Sequence, residues 1–366
     1  MRLLICAGGT GGGVYPALSV LEALGNRISD LLWVGGEGGM EAELVTRRRI
    51  PYRSIPAAGI HGVGLRNLPG NISRLYQGVR TSRIILKEFN PEVLFFTGGY
   101  VAAPMAYAGR KYPITLYVPD IEPGMALKFL ARFADSIALT ADESKAYFPK
   151  WKPTVVTGYP LRKDLKQIAQ VTAKNSLNLS SSKPTVLIYG GSKGARSINQ
   201  AVLTILSELL TKCQVVHVSG NLDWEEVSRA ASTLDGELRK NYFPFPYLHE
   251  EMGIALAAAD LVVCRAGAST LGELPFYSLP AILVPYPYAW QYQKVNADHL
   301  VSTGGAVIIE DSQLKSSLLE KIKELLQDPS RLEKMAAAIL AVARPEAASQ
   351  IANLIISTAG RKEQVS

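Results

Sequence analysis

Short apolar runs alternate with stretches of helical periodicity along the whole chain, the arrangement expected of parallel sheets flanked by helices. In the first half, the runs at 2–6 (RLLIC), 31–34 (LLWV), 93–96 (VLFF), 114–118 (ITLYV) and 136–139 (SIAL) predict strands. A polar, serine-rich stretch at 164–184 precedes a new apolar run, TVLIY, and QVVHV, LVVC and AILV supply further strands behind it. The second half repeats the plan of the first. TVLIY runs into GGSKGARSINQAVLTIL just as RLLI runs into CAGGTGGGVYPALSV. That repetition predicts an α/β fold of two doubly wound Rossmann-like domains, their parallel sheets facing each other across a cleft with ligand at the carboxyl ends of the strands. A length of 366 residues exceeds what one core usually fills, which agrees with two domains. The boundaries read as 1–162, 163–342, and a closing helix and frayed tail at 343–366.

Composition narrows the class. With 48% hydrophobic and 19% charged residues the chain is that of a soluble globular protein. Cys6, Cys213 and Cys264 are odd in number and sit in apolar runs, which argues against a disulfide framework and for a reducing compartment. No segment has the apolar length of a membrane span or of a signal peptide, so the expected location is cytoplasmic.

The net charge of +7 is unevenly spread: nine basic residues and no acid lie between Glu43 and Glu88. They are Arg47, Arg48, Arg49, Arg53, Arg66, Arg74, Arg80, Arg83 and Lys87. Within this stretch NISRLYQGVRTSRIILKEF predicts an amphipathic helix, with Arg80, Arg83 and Lys87 near one face and Ile72, Leu75, Val79 and Leu86 near another. A basic, partly apolar surface from Arg47 to Lys87 suits anionic lipid headgroups better than a nucleic-acid groove. An ordinary surface helix with its apolar face in the core is the alternative.

Four glycine-rich turns follow apolar strands: GGTGGG (8–13), GGY (98–100), GGSKGA (190–195) and RAGAST (265–270). A strand that ends in glycines and reopens as a helix presents backbone N–H groups at the positive end of a helix dipole, a site for phosphate. The dinucleotide fingerprint is incomplete, because Val14 stands where its third glycine belongs. A tight turn that only packs strand on helix is the plainer reading of each run. Thr270-x-x-Glu273 has two readings, a capping box or a carboxylate aimed at ribose hydroxyls. The four histidines are scattered without zinc spacing, and His217 reads as a core residue of a strand. No nucleophile-elbow context is present.

Taken together, GGTGG, GMEAELV (39–45), GGYV, GYPLR (158–162), GGSKGAR, CRAGAST with its following GE, and Gln-x-x-Asn-Ala (293–297) resemble the MurG family. These are N-acetylglucosaminyltransferases of glycosyltransferase family 28 that convert lipid I to lipid II in peptidoglycan synthesis, with the two-domain architecture called GT-B. The resemblance implies donor UDP-GlcNAc bound through Ser192, Gly194, Ala195, Ala268, Ser269, Thr270 and Glu273. It implies a uracil contact through backbone atoms near His249, an arginine near the donor diphosphate at Arg162, and sugar hydroxyls read by Gln293 and Asn296. On the acceptor side it implies that Thr10, Gly11, Gly12 and Gly13, with Gly98, Gly99 and Tyr100, cradle the lipid diphosphate. The basic segment then falls where such enzymes touch the inner face of the cell membrane.

Two departures lie on the acceptor side. The family's GGTGGH ends here in Gly13, and its HEQN aligns by spacing with YVPD, Tyr117 to Asp120. An inverting transfer needs a base within reach of the attacking hydroxyl. Asp120 is the first candidate, with Glu122 and His61 in reserve. A Pro-flanked turn capping the next helix is the plainer role for both carboxylates. Neither a metal nor another cofactor is expected, since GT-B enzymes generally dispense with Mg²⁺. The altered motifs leave two other readings, a UDP-sugar transferase with a different glycolipid or small-molecule acceptor, and a non-catalytic nucleotide-sugar-binding protein. Oligomeric state has no signature in the sequence.

Overall fold

The computed structural model describes residues 1–8, 11–39, 41–57, 68–191, 194–288 and 292–360. They form two units, Met1–Arg162 with the C-terminal segment from Pro345, and Lys163–Arg344.

In the first unit the chain runs β1 (Arg2–Ala7), α1 (Gly11–Leu24), β2 (Asp30–Gly36), α2 (Glu41–Thr46), β3 (Tyr52–Ile55), α3 (Leu68–Phe89), β4 (Val93–Gly98), α4 (Ala102–Ala108), β5 (Ile114–Val118), α5 (Met125–Leu130), β6 (Ser136–Leu139) and β7 (Thr154–Val156). The strands make one parallel sheet in the order β3-β2-β1-β4-β5-β6-β7. Leu3, Leu94, Phe95 and Leu116 are wholly buried, because helices cover both faces of a parallel sheet. The strand order reverses between β1 and β4, and their register shifts between Cys6 and Ala7. Both glycine turns of this half leave the sheet at that switch point, where ligands of such folds bind. The closing helix, Ala347–Gly360, packs beside α1 and against β4, β5 and β6, so the C-terminal segment belongs to this core. Ser136 Oγ meets Thr358 Oγ1 at 2.8 Å, and Arg27 donates to Asn353 at 3.1 Å.

The second unit runs α6 (Gln170–Ser176), β8 (Thr185–Tyr189), α7 (Arg196–Leu210), β9 (Gln214–Val218), α8 (Trp224–Thr233), α9 (Gly236–Arg239), β10 (Tyr242–Phe245), α10 (Met252–Ala258), β11 (Leu261–Cys264), α11 (Thr270–Phe276), β12 (Ala281–Leu283), α12 (Tyr292–Ser302), β13 (Ala306–Ile308), α13 (Leu314–Leu326) and α14 (Pro329–Leu340); the closing helix is α15. Its parallel sheet has the order β10-β9-β8-β11-β12-β13, reversing between β8 and β11. The loops 190–195 and 265–270 follow those two strands. Ile198, Val202, Leu206 and Leu209 of α7 carry its buried stripe onto this sheet.

Every strand expected from apolar runs is present, but β3, β7, β10 and β13 were not anticipated. All four are sheet edges. Among the described residues no helix is long and apolar enough to cross a membrane.

The helix α3 corrects one expectation. Ile72 is not on the buried side: it is 54% exposed, beside Tyr76 and Ile84, while Ile85 and Leu86 enter the core. At 100° per residue, Ile72, Tyr76, Arg80, Arg83, Ile84 and Lys87 fall within one third of the helix circumference. All six are exposed, so apolar and basic side chains share a stripe instead of dividing into two faces. Elsewhere in the basic stretch Arg47, Arg48 and Arg53 pair with Glu43, Glu22 and Glu88.

Candidate active site

The loop after β8 is shaped by its glycines. A β-carbon on Gly190 would overlap the Ala195 amide, and one on Gly194 would overlap the Ser219 carbonyl oxygen. Gly191 and Gly194 both have positive φ, 89° and 77°, and the Gly194 amide closes the turn onto the Gly191 carbonyl at 2.9 Å. The loop then enters α7, a 15-residue helix whose N-cap, Ala195, makes no side-chain bond to the first-turn amides. Those amides stand at the electropositive helix end, where a diphosphate is favoured. Ser192 lies outside the described residues.

Two polar clusters hold the first turn of α7. Arg265 donates through Nη2 to Ser197 Oγ at 2.7 Å and through Nη1 to Asp311 Oδ1 at 2.5 Å, while Ser197 Oγ also donates to Asp311 Oδ1 at 2.7 Å. The same guanidinium reaches the Val284 carbonyl at 3.1 Å and stands over the Tyr286 ring. On the other side, Asn199 donates through Nδ2 to the Ser219 carbonyl and to Asp223 Oδ2, both at 2.8 Å, and its Oδ1 faces His217 Nε2 at 3.0 Å. His217 is wholly buried, as its strand position suggested, and burial pushes its pKa down to about 4.

The loop 265–270 leads into α11. Ser269 is the N-cap and makes no side-chain cap bond; Thr270 donates instead to the Gly267 carbonyl at 2.6 Å. The capping box suggested by Thr270 and Glu273 is therefore not formed, because α11 begins one residue before that box requires. Glu273 accepts from Ser269 Oγ at 3.2 Å, which leaves its carboxylate one turn into the helix on the loop's own side. Ala268, Ser269 and Glu273 are half-buried, and Thr270 is buried.

The two side chains assigned to sugar hydroxyls have protein partners here. Asn296 is buried and donates to the Ala266 carbonyl at 3.1 Å, tying α12 to the same loop. Gln293 Oε1 accepts from the Tyr286 amide at 2.9 Å. The exposed His249 packs its ring edge on Tyr247, and its backbone N–H donates to Glu251 Oε2 at 3.2 Å. Arg162, in the first unit, places its guanidinium 5.7 Å from the centre of the Tyr15 ring.

In that unit Gly11 opens α1, Gly12 is exposed and Gly13 is buried, with its carbonyl accepting from Thr97 Oγ1 at 2.7 Å. A β-carbon on Gly99 would overlap the Gly8 carbonyl, so the two glycine turns lie in direct contact. Gly98 and Gly99 have φ of 112° and 87°, and Tyr100 beside them is 44% exposed. Beneath this junction the buried carboxylate of Glu41 accepts from the Gly36 amide at 2.8 Å and occupies the space that side chains at Gly8 and Gly39 would need. Thr10 and His61 lie outside the described residues.

The turn before Asp120 is fixed by Tyr117. Its buried hydroxyl donates to Thr140 Oγ1 at 2.8 Å, and that hydroxyl donates onward to the carbonyls of Val118 and Pro119 at 3.0 and 2.9 Å. Asp120 follows, half-buried at the carboxyl end of β5. Glu122 is paired with Lys128 at 3.1 Å. Neither caps α5, whose N-cap is Gly124 without a side-chain bond. Among the described residues no three His, Cys, Asp or Glu side chains gather as a metal site would require.

Arg265, Ser197, Asn199, Asp311 and Glu41 were not singled out from sequence. Arg265 and Glu41 stood inside recognised motifs, whereas Asp311 lies 46 positions from its partner with no local signal.

Comparison with known proteins extends over both units. Residues 3–139 match the glycosyltransferase family 28 N-terminal domain, and residues 185–360 match the family 28 C-terminal domain. A protein from Desulforamulus reducens named UDP-N-acetylglucosamine--N-acetylmuramyl-(pentapeptide) pyrophosphoryl-undecaprenol N-acetylglucosamine transferase is 38% identical, over 96% of this chain and 97% of its own. One of the same name from Bacillus licheniformis is 35% identical over 97% and 98%. The crystal structure of Acinetobacter baumannii MurG superposes with a TM-score of 0.78 at 25% identity, covering 97% of this chain and 99% of its own.

Proposed function

Because the chain belongs to the MurG family of glycosyltransferase family 28, we propose that it transfers N-acetylglucosamine from UDP-GlcNAc to a polyprenyl-diphosphate-linked muramoyl peptide, turning lipid I into lipid II. The observation that carries this reading is full-length similarity to transferases of that name, with the glycine loops at the switch points of both sheets. The enzyme is a GT-B hexosyltransferase of two parallel α/β domains.

On the donor side the loop 190–195 and the first turn of α7 receive the diphosphate, whose charge suits a helix N-terminus. By resemblance to the family, Arg162 is the arginine assigned to the donor diphosphate and Ser192 supplies a hydroxyl. Ala268, Ser269 and Thr270 give close backbone approach, with Glu273 accepting from ribose hydroxyls. Gln293 and Asn296 select the sugar, one through the Tyr286 loop and one by holding the Ala266 carbonyl in place. The uracil ring meets backbone near His249.

On the acceptor side Gly11 to Gly13 at the start of α1, with Gly98 to Tyr100, receive the lipid diphosphate. Asp120 takes the proton from the attacking hydroxyl as that oxygen bonds to the anomeric carbon and UDP departs from the opposite face. Its position on a turn locked by Tyr117 and Thr140 supports this role. The reaction as written uses no metal or other cofactor.

The mixed stripe of α3 is the membrane contact, its basic residues drawn to anionic headgroups and Ile72, Tyr76 and Ile84 entering the interface. On this reading the enzyme works at the inner face of the cell membrane, where its lipid acceptor resides.

The deciding experiment is incubation of the full chain with labelled UDP-GlcNAc and synthetic lipid I. Formation of lipid II carries the proposal. Transfer only to other acceptors, or UDP-GlcNAc binding without turnover, would replace it with one of the two other readings.

A further inference from the structure

The cluster around His217 does more than fill the sheet. Asn199 Nδ2 donates to a carbonyl and a carboxylate, the Ser219 oxygen and Asp223 Oδ2, so its Oδ1 is left to accept. The ring nitrogen facing that oxygen, His217 Nε2, must then carry the proton. The other nitrogen, Nδ1, accepts from the Tyr242 hydroxyl at 2.8 Å. One tautomer satisfies every contact, and a buried imidazole stays in it.

What this tautomer holds is the base of the diphosphate loop. Asn199 sits in the first turn of α7, and the Ser219 carbonyl it fixes is the one Gly194 turns against. Asp223, held from the same amide, stands 4.0 Å from Arg196 Nε at the first position of α7. His217, Tyr242 and Ser219 lie on or beside β9 and β10, so the chain of bonds ties the outer edge of the sheet to the loop at its switch point.

We infer that His217 is a positioning residue for donor binding: by donating from Nε2 to Asn199 it sets the first turn of α7 and the Ser219 carbonyl so that Gly194 and the N-terminus of α7 are prebuilt for a nucleoside diphosphate. His217 itself touches no substrate. The inference rests on the donor assignment made above.

The test compares three full-length variants by equilibrium binding of UDP and by steady-state kinetics. His217→Gln keeps an N–H where Nε2 stood and should hold UDP within about twofold of the parent, whereas His217→Asn keeps only a group at the Nδ1 position and should bind about tenfold more weakly, the size of one lost hydrogen bond. Tyr242→Phe keeps the Asn199 link and should follow His217→Gln. The loss in His217→Asn should appear in the KM for UDP-GlcNAc, with kcat and the KM for lipid acceptor little changed. A merely structural role would weaken Gln and Asn variants alike, in proportion to their loss of melting temperature. Equal UDP affinity in the two, or equal rises in both KM values, overturns the inference. Should the parent protein fail to bind UDP at all, the donor assignment falls instead.

Discussion

Gly194 turns so close beneath Ser219 that the carbonyl oxygen of Ser219 occupies the place of a β-carbon. The end of the loop after β8 is therefore seated against the end of β9 as well as on the strand it leaves. Gly194→Ala would face both that overlap and a φ of 77°, while Gly191→Ala, at a φ of 89° with no neighbour within 4 Å among the described residues, would face the backbone term. The alanine at 191 should cost about 1 kcal/mol of stability, and the one at 194 should cost more and cut UDP affinity by about tenfold or greater. Titration calorimetry with UDP on both variants checks the order; equal affinities would mean that the loop does not depend on its seat.

Arg265 is the hub of the opposite cluster. Its guanidinium, 11% exposed, is satisfied by Asp311, Ser197 and backbone carbonyls, so it acts as a brace between loops and not as a phosphate ligand. Arg265→Met strands Asp311 in a largely buried place and should lower unfolding stability by about 2–4 kcal/mol, less than a fully buried pair because some solvent reaches the carboxylate. Adding Asp311→Leu should recover most of that loss. Urea denaturation of the single and double variants decides it, and a double variant no more stable than the single one would assign the effect to lost packing over Tyr286.

Much of this was readable from sequence, and the reasons are physical. Central strands buried on both faces, such as TVLIY and LVVC, are continuous apolar runs and were found. Edge strands such as YRSI and YFPF are short, with one side open, and carry no comparable signal. The glycine turns announce themselves because overlap at Gly8, Gly99, Gly190 and Gly194, and positive φ at Gly98 and Gly191, disfavour side chains there. The braces do not: Ser197, Asp311 and Asp223 look like surface polar residues until folding brings them to α7. Ile72 was misplaced because composition cannot distinguish an apolar residue facing the core from one left exposed.

Asp120→Asn should reduce kcat by about 100-fold or more, the usual worth of a general base, and leave UDP affinity within about twofold. Glu122→Gln should cost little, since Lys128 already engages that carboxylate. Single-turnover rates with lipid I measure both. A large loss in Glu122→Gln with an active Asp120→Asn would exchange the two roles.

The α3 stripe predicts a membrane affinity that two separate treatments should lower. Replacing Ile72, Tyr76 and Ile84 together by serine removes the apolar contact without touching the core, as all three are more than half exposed. Arg80→Gln with Arg83→Gln should remove about 1 kcal/mol for each charge at low salt, and much less at high salt. Co-sedimentation with phosphatidylglycerol vesicles reads both effects, and retention of the triple serine variant on vesicles would move the contact elsewhere.

The buried state of His217 also predicts how stability changes with acidity. Burial lowers its pKa from 6.5 to about 4, whereas an unfolded chain restores the ordinary value. Well above pH 6.5 the ring is neutral in both states and contributes no slope. As the pH falls from 6.5 toward 4 the unfolded chain binds a proton that the folded one refuses, so stability declines through that window. Between pH 6.5 and 5 the decline amounts to about 1.5 kcal/mol from this one group. His217→Gln has nothing to titrate there, and carboxylates common to both proteins cancel in the difference. The gap between parent and variant in urea-derived unfolding free energy should therefore change by that amount between pH 6.5 and 5, with the variant gaining on the parent as acidity rises. A constant gap would mean that the ring takes up its proton while folded, and the tautomer that links Tyr242 to Asn199 could not then be the one that holds α7.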